Sequence, residues 1–265
     1  MDDVLITEVS GGVARITINR PEARNALTGA IIQAMAAFCE RIEHDDQVRA
    51  VVIAGAGAHF MAGGDVKSFA AALDLPPEEL RADFERRSRE AAPLWLALER
   101  MPQPVVASVR GFAAGAALSL VAGADFAIAS DTATFLLAQV HLGLVADGGA
   151  TYHLPRAIGL RQAKRLAYLG ERVGAAEALA IGLVTQVVPD AELEAATQGL
   201  ADRLAAAPFV ALGAAKRLLN ASLGSTLAQQ LASEGEAAGT CGASADLREG
   251  VRAFVEKRKP VFTGR

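Results

Sequence analysis

The 265-residue chain is 52% hydrophobic and 21% charged, enough apolar content to bury a substantial core, which excludes a disordered chain and a small disulfide-held scaffold. Thirty acidic against 26 basic side chains leave a formal charge of -4, too mild a field to recruit nucleic acid or an anionic membrane surface. Aromatics at 5% give an aliphatic interior rather than a base-stacking face.

Cys39 and Cys241 lie far apart, without CxxC or Cys/His spacing, so neither a disulfide framework nor a metal site is expected. A reducing, cytoplasmic setting follows. The N-terminus agrees with it, carrying Asp2 and Asp3 and no basic segment leading into an apolar run.

In chain order, Val4 to Val9 and Val13 to Asn19 flank Gly11-Gly12 and read as a hairpin, with Ala14, Ile16 and Ile18 sharing one face. Thr28 can cap a helix whose Ile31, Ile32, Met35, Phe38, Cys39 and Ile42 form one buried stripe. Short apolar strands are expected at Ala50 to Ala54, Val105 to Val109, Phe126 to Ala129 and Val184 to Val188, with helical stretches between them, the alternation of an α/β fold. Pro76-Pro77 opens a charged segment, Glu78 to Glu90, which reads as an exposed helix followed by a buried one from Pro93.

The longest uncharged apolar run, Gly111 to Ala124, is shorter than the roughly 18 residues of a membrane span and belongs to the core. From Ala191 onward the patterns are helical, so an α/β part at 1–190 and a helical region at 191–265 are expected.

Two glycine-rich turns can carry chemistry. The strand ending at Ile53 runs into Gly55-Ala56-Gly57, then Phe60-Met61-Ala62-Gly63-Gly64-Asp65; Phe60 occupies the third glycine position of a dinucleotide fingerprint, so that reading fails. The strand Val105 to Val109 runs into Gly111-Phe112-Ala113-Ala114-Gly115 and an apolar helix, whose N-terminus offers free N–H groups and a positive dipole end. Either turn alone can serve close packing; together they can form an oxyanion hole.

Together with Asn19-Arg20-Pro21-Glu22-Ala23-Arg24-Asn25-Ala26-Leu27, Gly143-Leu144-Val145-Ala146-Asp147-Gly148-Gly149, Leu154-Pro155-Arg156 and the segment from Glu249 to Pro260, these turns resemble the crotonase superfamily, the enoyl-CoA hydratase/isomerase family, over nearly the whole chain. The resemblance implies a crotonase-like spiral of β-β-α units with two roughly perpendicular sheets and a C-terminal helical region, assembled as a homotrimer or a dimer of trimers. It implies an acyl-CoA thioester as substrate, with CoA as part of that substrate and no further cofactor, and no nucleic-acid or membrane partner.

By position, the oxyanion donors are the backbone N–H groups of Gly64 and Ala116. The resemblance assigns CoA contacts to Ala23 and Arg24 and to the backbone at Ala62, with Lys257 at a basic cluster that equally suits a solvated helix end. The two glutamates with which hydratases of the family activate water are replaced by Ser119 and Gln139, neither of which ionises near neutral pH. Hydratase chemistry is thereby weakened, and a proton-shuttling isomerase using Asp147 as the base, or a related enolate-forming enzyme such as a ring-epoxide isomerase, is preferred; a non-catalytic acyl-CoA binder is the third reading.

Asp147 before Gly148-Gly149 is also good helix-capping chemistry. His141 suits a pocket wall or the surface. A Ser119/His141/Asp147 hydrolase triad lacks the G-x-S-x-G turn, which leaves Ser119 as a pocket liner.

Overall fold

The computed structural model describes residues 4–264; Asp2 and Asp3, used above in reading the N-terminus, lie outside the described residues. The strands are β1 (Leu5–Ser10), β2 (Val13–Ile18), β3 (Ala50–Gly55), β4 (Val105–Val109), β5 (Phe112–Ala114), β6 (Phe126–Ser130), β7 (Thr134–Leu136), β8 (Arg172–Gly174) and β9 (Gln186–Val188). The helices are α1 (Gly29–Glu43), α2 (Val66–Ala70), α3 (Pro77–Arg100), α4 (Ala116–Gly123), α5 (Ala150–Leu169), α6 (Ala175–Ala180), α7 (Leu193–Ala205), α8 (Phe209–Ser222), α9 (Leu227–Ala243) and α10 (Ala245–Val255).

The strands form a six-stranded sheet in the order β1-β2-β3-β4-β6-β9 and a three-stranded sheet in the order β5-β7-β8. The β1-β2 hairpin is antiparallel; the remaining pairs of the large sheet are parallel. The spiral shows in the register: β4 pairs with β6 in the large sheet, and their successors β5 and β7 pair in the small one. In these two circuits the chain lays one strand on each sheet before it turns into a helix.

Both faces of the large sheet are covered at β3, β4 and β6, which is why these strands are short apolar runs, whereas the edge strand β1 is largely exposed. Ala14, Ile16 and Ile18 are fully buried on one side with the stripe of α1, whose N-terminus Thr28 caps by accepting the Ile31 N–H. On the other side Val13, Val52, Val106 and Ile128 meet Leu193, Ala201 and Ala205 of α7. Below α7 a buried contact, the Ser108 and Thr197 hydroxyls at 2.9 Å, ties helix to sheet.

The structure departs from the sequence reading in three places. The charged segment and the buried segment form one continuous 24-residue helix, α3, with Pro93 inside it; Leu94, Ala97 and Leu98 anchor its second half in the core. Strand β9 begins at Gln186 rather than Val184; at Thr185 the backbone N–H donates to the Ala127 C=O while the hydroxyl accepts from the Ala127 N–H and donates to the same C=O. The three-residue strands β5, β7 and β8 are too short to show a period.

Beyond α7, which packs directly on the large sheet, α8 adds a buried tie to the core. Lys216 is buried, forms a 2.8 Å ion pair with Asp125, and donates to the Leu98 and Gln103 carbonyls at 3.2 and 3.0 Å. Among the described residues no helix is long and apolar enough to cross a membrane.

Burial pushes the Cys39 thiol up to about 12, with Glu40 adding to the effect. Cys39 therefore remains a thiol at pH 9, and iodoacetamide is expected to leave it unmodified in the native protein and alkylate it after denaturation, as read by peptide mass; native labelling at Cys39 would contradict the packing of α1.

Candidate active site

The first glycine-rich turn leaves β3 and is stitched on both sides. Met61 donates to the Phe112 C=O and accepts from the Ala114 N–H, a parallel bridge onto β5. On its other side the Leu27 N–H bonds the Gly63 C=O at 2.7 Å and the Asp65 N–H bonds the Leu27 C=O at 2.9 Å. These bonds flank Gly64 yet leave its own N–H without an acceptor among the described residues.

The Ala116 N–H has none either, since Ala116 opens α4 and stands at the positive end of its dipole. The turns touch backbone to backbone because position 63 has no side chain. Gly63 has φ +90°, and a Cβ there would lie 2.9 Å from the Ala114 carbonyl oxygen and 3.4 Å from Gly115 Cα.

Gly64 and Ala116 line one cavity of about 1070 Å³, together with Ala62, Trp95, Gln139 and Asp147. Four carboxylates reach this cavity, and three are already engaged. Asp65 sits 3.3 Å from Arg20 and caps α2 by accepting the Lys67 N–H. Glu85 bonds Arg81, which holds its carboxyl below the usual range, and Glu90 bonds Arg86.

Asp147 has no cationic partner among the described residues. Its Oδ1 accepts a 3.1 Å hydrogen bond from Gln139 Nε2, and its backbone carbonyl accepts from the Ser119 hydroxyl at 2.8 Å and the Ala150 N–H. The following Gly148, at φ +61°, packs so close to Trp95 that a Cβ would fall 2.8 Å from the indole ring.

The capping alternative for Asp147 is corrected: the N-cap of α5 is Gly149, and the Asp147 side chain bonds no helix N–H. Ser119 is buried and contacts Asp147 instead of lining the cavity. His141 lies off the cavity with Nε2 2.9 Å from the Gly170 carbonyl, so Ser119, His141 and Asp147 do not converge as a triad.

Ala23 and Arg24 stand outside the cavity lining, on the loop that leads into it. Arg24 has φ +50°, its guanidinium lies 5.7 Å from the Phe112 ring centre, and its carbonyl takes the Ala62 N–H at 2.9 Å. That loop is pinned by fully buried Asn25, which accepts from the Arg20 N–H and donates to the Ala56 and His59 carbonyls. Lys257 is exposed just beyond α10 at φ +55°.

The wall contributed by α3 escaped the sequence reading. Phe84, Ser88, Ala91 and Trp95 line the cavity with the polar residues between them, and their spacing of four, three and four residues is a helical seam that crosses from the charged segment into the buried one. Arg87 adds to the wall by bonding the Ser68 hydroxyl and carbonyl of α2. Among the described residues no group of three His, Cys, Asp or Glu side chains stands close enough to hold a metal ion.

The α/β spiral thus brings two backbone N–H groups without acceptors and one carboxylate without a cationic partner, among the described residues, to a single cavity. The family model for enoyl-CoA hydratase/isomerase matches residues 8–265, and the chain belongs to that family. It is 38% identical over 265 residues to the 1,2-epoxyphenylacetyl-CoA isomerase of Escherichia coli, covering 100% of each chain. It is 35% identical over 257 residues to the short-chain-enoyl-CoA hydratase of Clostridium acetobutylicum, covering 96% of this chain and 95% of that one. A crystal structure of enoyl-CoA hydratase from Bacillus anthracis superposes with a TM-score of 0.91 at 30% identity, covering 99% of this chain and 100% of that chain.

Two predictions follow from the packing of the site. Gly63→Ala is expected to cost about 1–3 kcal/mol through the strained φ and the forced separation of the turns, measured as a lower urea midpoint at unchanged slope; an unchanged midpoint would show that the turns need not touch. His153, wedged against Gly123 and Gly149, has its proton affinity lowered by burial, an effect that Glu99 opposes and Arg156 reinforces. Below about pH 6.5 the unfolded chain binds a proton that the folded protein resists, so stability falls with falling pH. Thermal melts between pH 8 and 5 are expected to show a shallower decline in His153→Gln than in the parent.

Proposed function

We propose that the protein is an enoyl-CoA isomerase-type enzyme that shuttles a proton on an acyl-CoA thioester. The observation that carries this reading is the state of the cavity carboxylates: Asp65, Glu85 and Glu90 are tied to arginines, whereas Asp147 has only an amide on its side chain. A carboxylate that is not locked in an ion pair is free to face a substrate proton.

In this mechanism the thioester oxygen accepts hydrogen bonds from the Gly64 and Ala116 N–H groups, each such donor being worth roughly 2.7–4 kcal/mol in the transition state. Asp147 removes a proton from the carbon flanking the double bond, and the electron pair moves through the conjugated system onto the thioester oxygen. The dienolate collapses when the same acid returns the proton to the other end of the system. No atom is gained or lost, and one carboxyl group suffices.

Hydration would require a positioned, activated water, and the side chains where the family's hydratases carry glutamates are Ser119 and Gln139, both directed to Asp147. The similarity to both a named isomerase and a named hydratase accords with shared enolate chemistry and does not choose between them.

Incubation with trans-2- and trans-3-enoyl-CoA thioesters in deuterated water is expected to give deuterium exchange or double-bond migration without a gain of water. Asp147→Asn should lower turnover by about 100-fold or more, the upper range of general-base catalysis, while CoA-thioester binding persists. A water adduct as the main product would establish the hydratase reading, and full activity in Asp147→Asn would remove Asp147 as the base.

A further inference from the structure

Gln139 is only 8% exposed, yet its amide is half-used: Nε2 donates to Asp147, while Oε1 is buried with no hydrogen-bond partner. An ionised carboxylate accepts only, so it dictates that the amide present nitrogen to it and turn the oxygen away. A buried acceptor left unpaired costs stability, and an apolar side chain of the same volume would fill the space without that cost. Packing alone therefore does not account for this amide.

Its surroundings do. A Cβ on Gly115 would lie 3.8 Å from Gln139 Oε1 and 3.9 Å from its Cδ, so the amide sits between the turn that precedes the Ala116 donor and the Asp147 carboxylate. Ser119 holds the same loop from a second direction: it lies three residues after Ala116 on α4, one helical turn along, and donates to the Asp147 carbonyl. One short helix thus begins with an oxyanion donor and, one turn later, grips the backbone of the proton acceptor.

We propose that Gln139 and Ser119 are positioning residues, Gln139 orienting the Asp147 carboxylate and Ser119 fixing its backbone at a set distance from the Ala116 N–H. This inference rests on the reading of Asp147 as the base. The two neutral side chains do not merely lack the charge of glutamates; they form the cradle of a single carboxylate.

The test compares steady-state isomerisation by the parent, Gln139→Glu, Ser119→Ala and Asp147→Asn, with thermal melting of each. Gln139→Glu keeps shape and volume but replaces the donor by an oxygen that is acceptor-only when ionised. It is expected to lower kcat by about tenfold to a hundredfold with KM within about twofold, in the range for a lost charge-assisted hydrogen bond or a misplaced reacting group. Ser119→Ala should lower kcat in the same sense by about threefold to tenfold with KM likewise held.

An undiminished kcat in Gln139→Glu overturns the role of Gln139, as does a loss spread equally over kcat, KM and melting temperature, the pattern of a merely structural residue. If Gln139→Glu fails to fold, the kcat-against-KM split in Ser119→Ala decides the proposal. Should Asp147→Asn itself remain active, the assignment of the base falls and the cradle with it; an inactive Asp147→Asn beside a fully active Gln139→Glu refutes the cradle alone.

Discussion

The contact between two backbone turns governs this structure. Gly63 and the Ala114-Gly115 peptide meet at a separation that leaves no room for a Cβ, and that contact sets Gly64 and Ala116 beside each other on one cavity. The spiral makes it possible. Parallel pairing of β3 with β4 in the large sheet delivers both strands to the same edge, and the Met61-to-Ala113 bridge continues the alignment into the turns. Two N–H groups presented by main chain need no particular side chain, so alanine at 116 leaves the N–H in place.

Around this fixed pair the chemistry is sorted by charge pairing. On the outer half of α3 the carboxylates have arginines one turn away, Arg81 with Glu85, and Arg86 with both Asp83 and Glu90. The rim is thus internally neutralised and solvated, and contributes little to stability pair by pair. Elsewhere on the cavity wall Asp147 is held by hydrogen bonds from neutral donors. The carboxylates that share the cavity therefore differ in what they can do, although composition alone cannot separate them.

Much of the frame was legible in the chain. Alternation in β2, the stripe of α1 and the apolar runs of β3, β4 and β6 report burial directly. The ordered motifs placed Gly64, Ala116 and Asp147, all of which the cavity brings together. What escaped is long-range. Phe84, Ser88, Ala91 and Trp95 look like isolated apolar or small residues in a charged helix until the cavity gives them a common face. Ser119 and Gln139 read as losses at the sequence level, because their partners are the backbone carbonyl and the carboxylate of Asp147, 28 and 8 residues away, respectively. The continuity of α3 follows from tertiary packing that tolerates Pro93 inside it, whereas α5 passes Pro155 and kinks at Gly159, at φ +75°.

Lys216 gives the helical C-terminus a thermodynamic tie to the cavity. Its ammonium group is shared among Asp125 and the carbonyls of Leu98 and Gln103, at the end of α3 and just before β4. Detaching α8 would leave these acceptors and a largely enclosed carboxylate without their cation, a penalty on the order of 3–5 kcal/mol for breaking a buried pair. Fraying of the C-terminal helices is consequently opposed by electrostatics at the foot of the cavity wall, and the melting of the one is coupled to the loosening of the other.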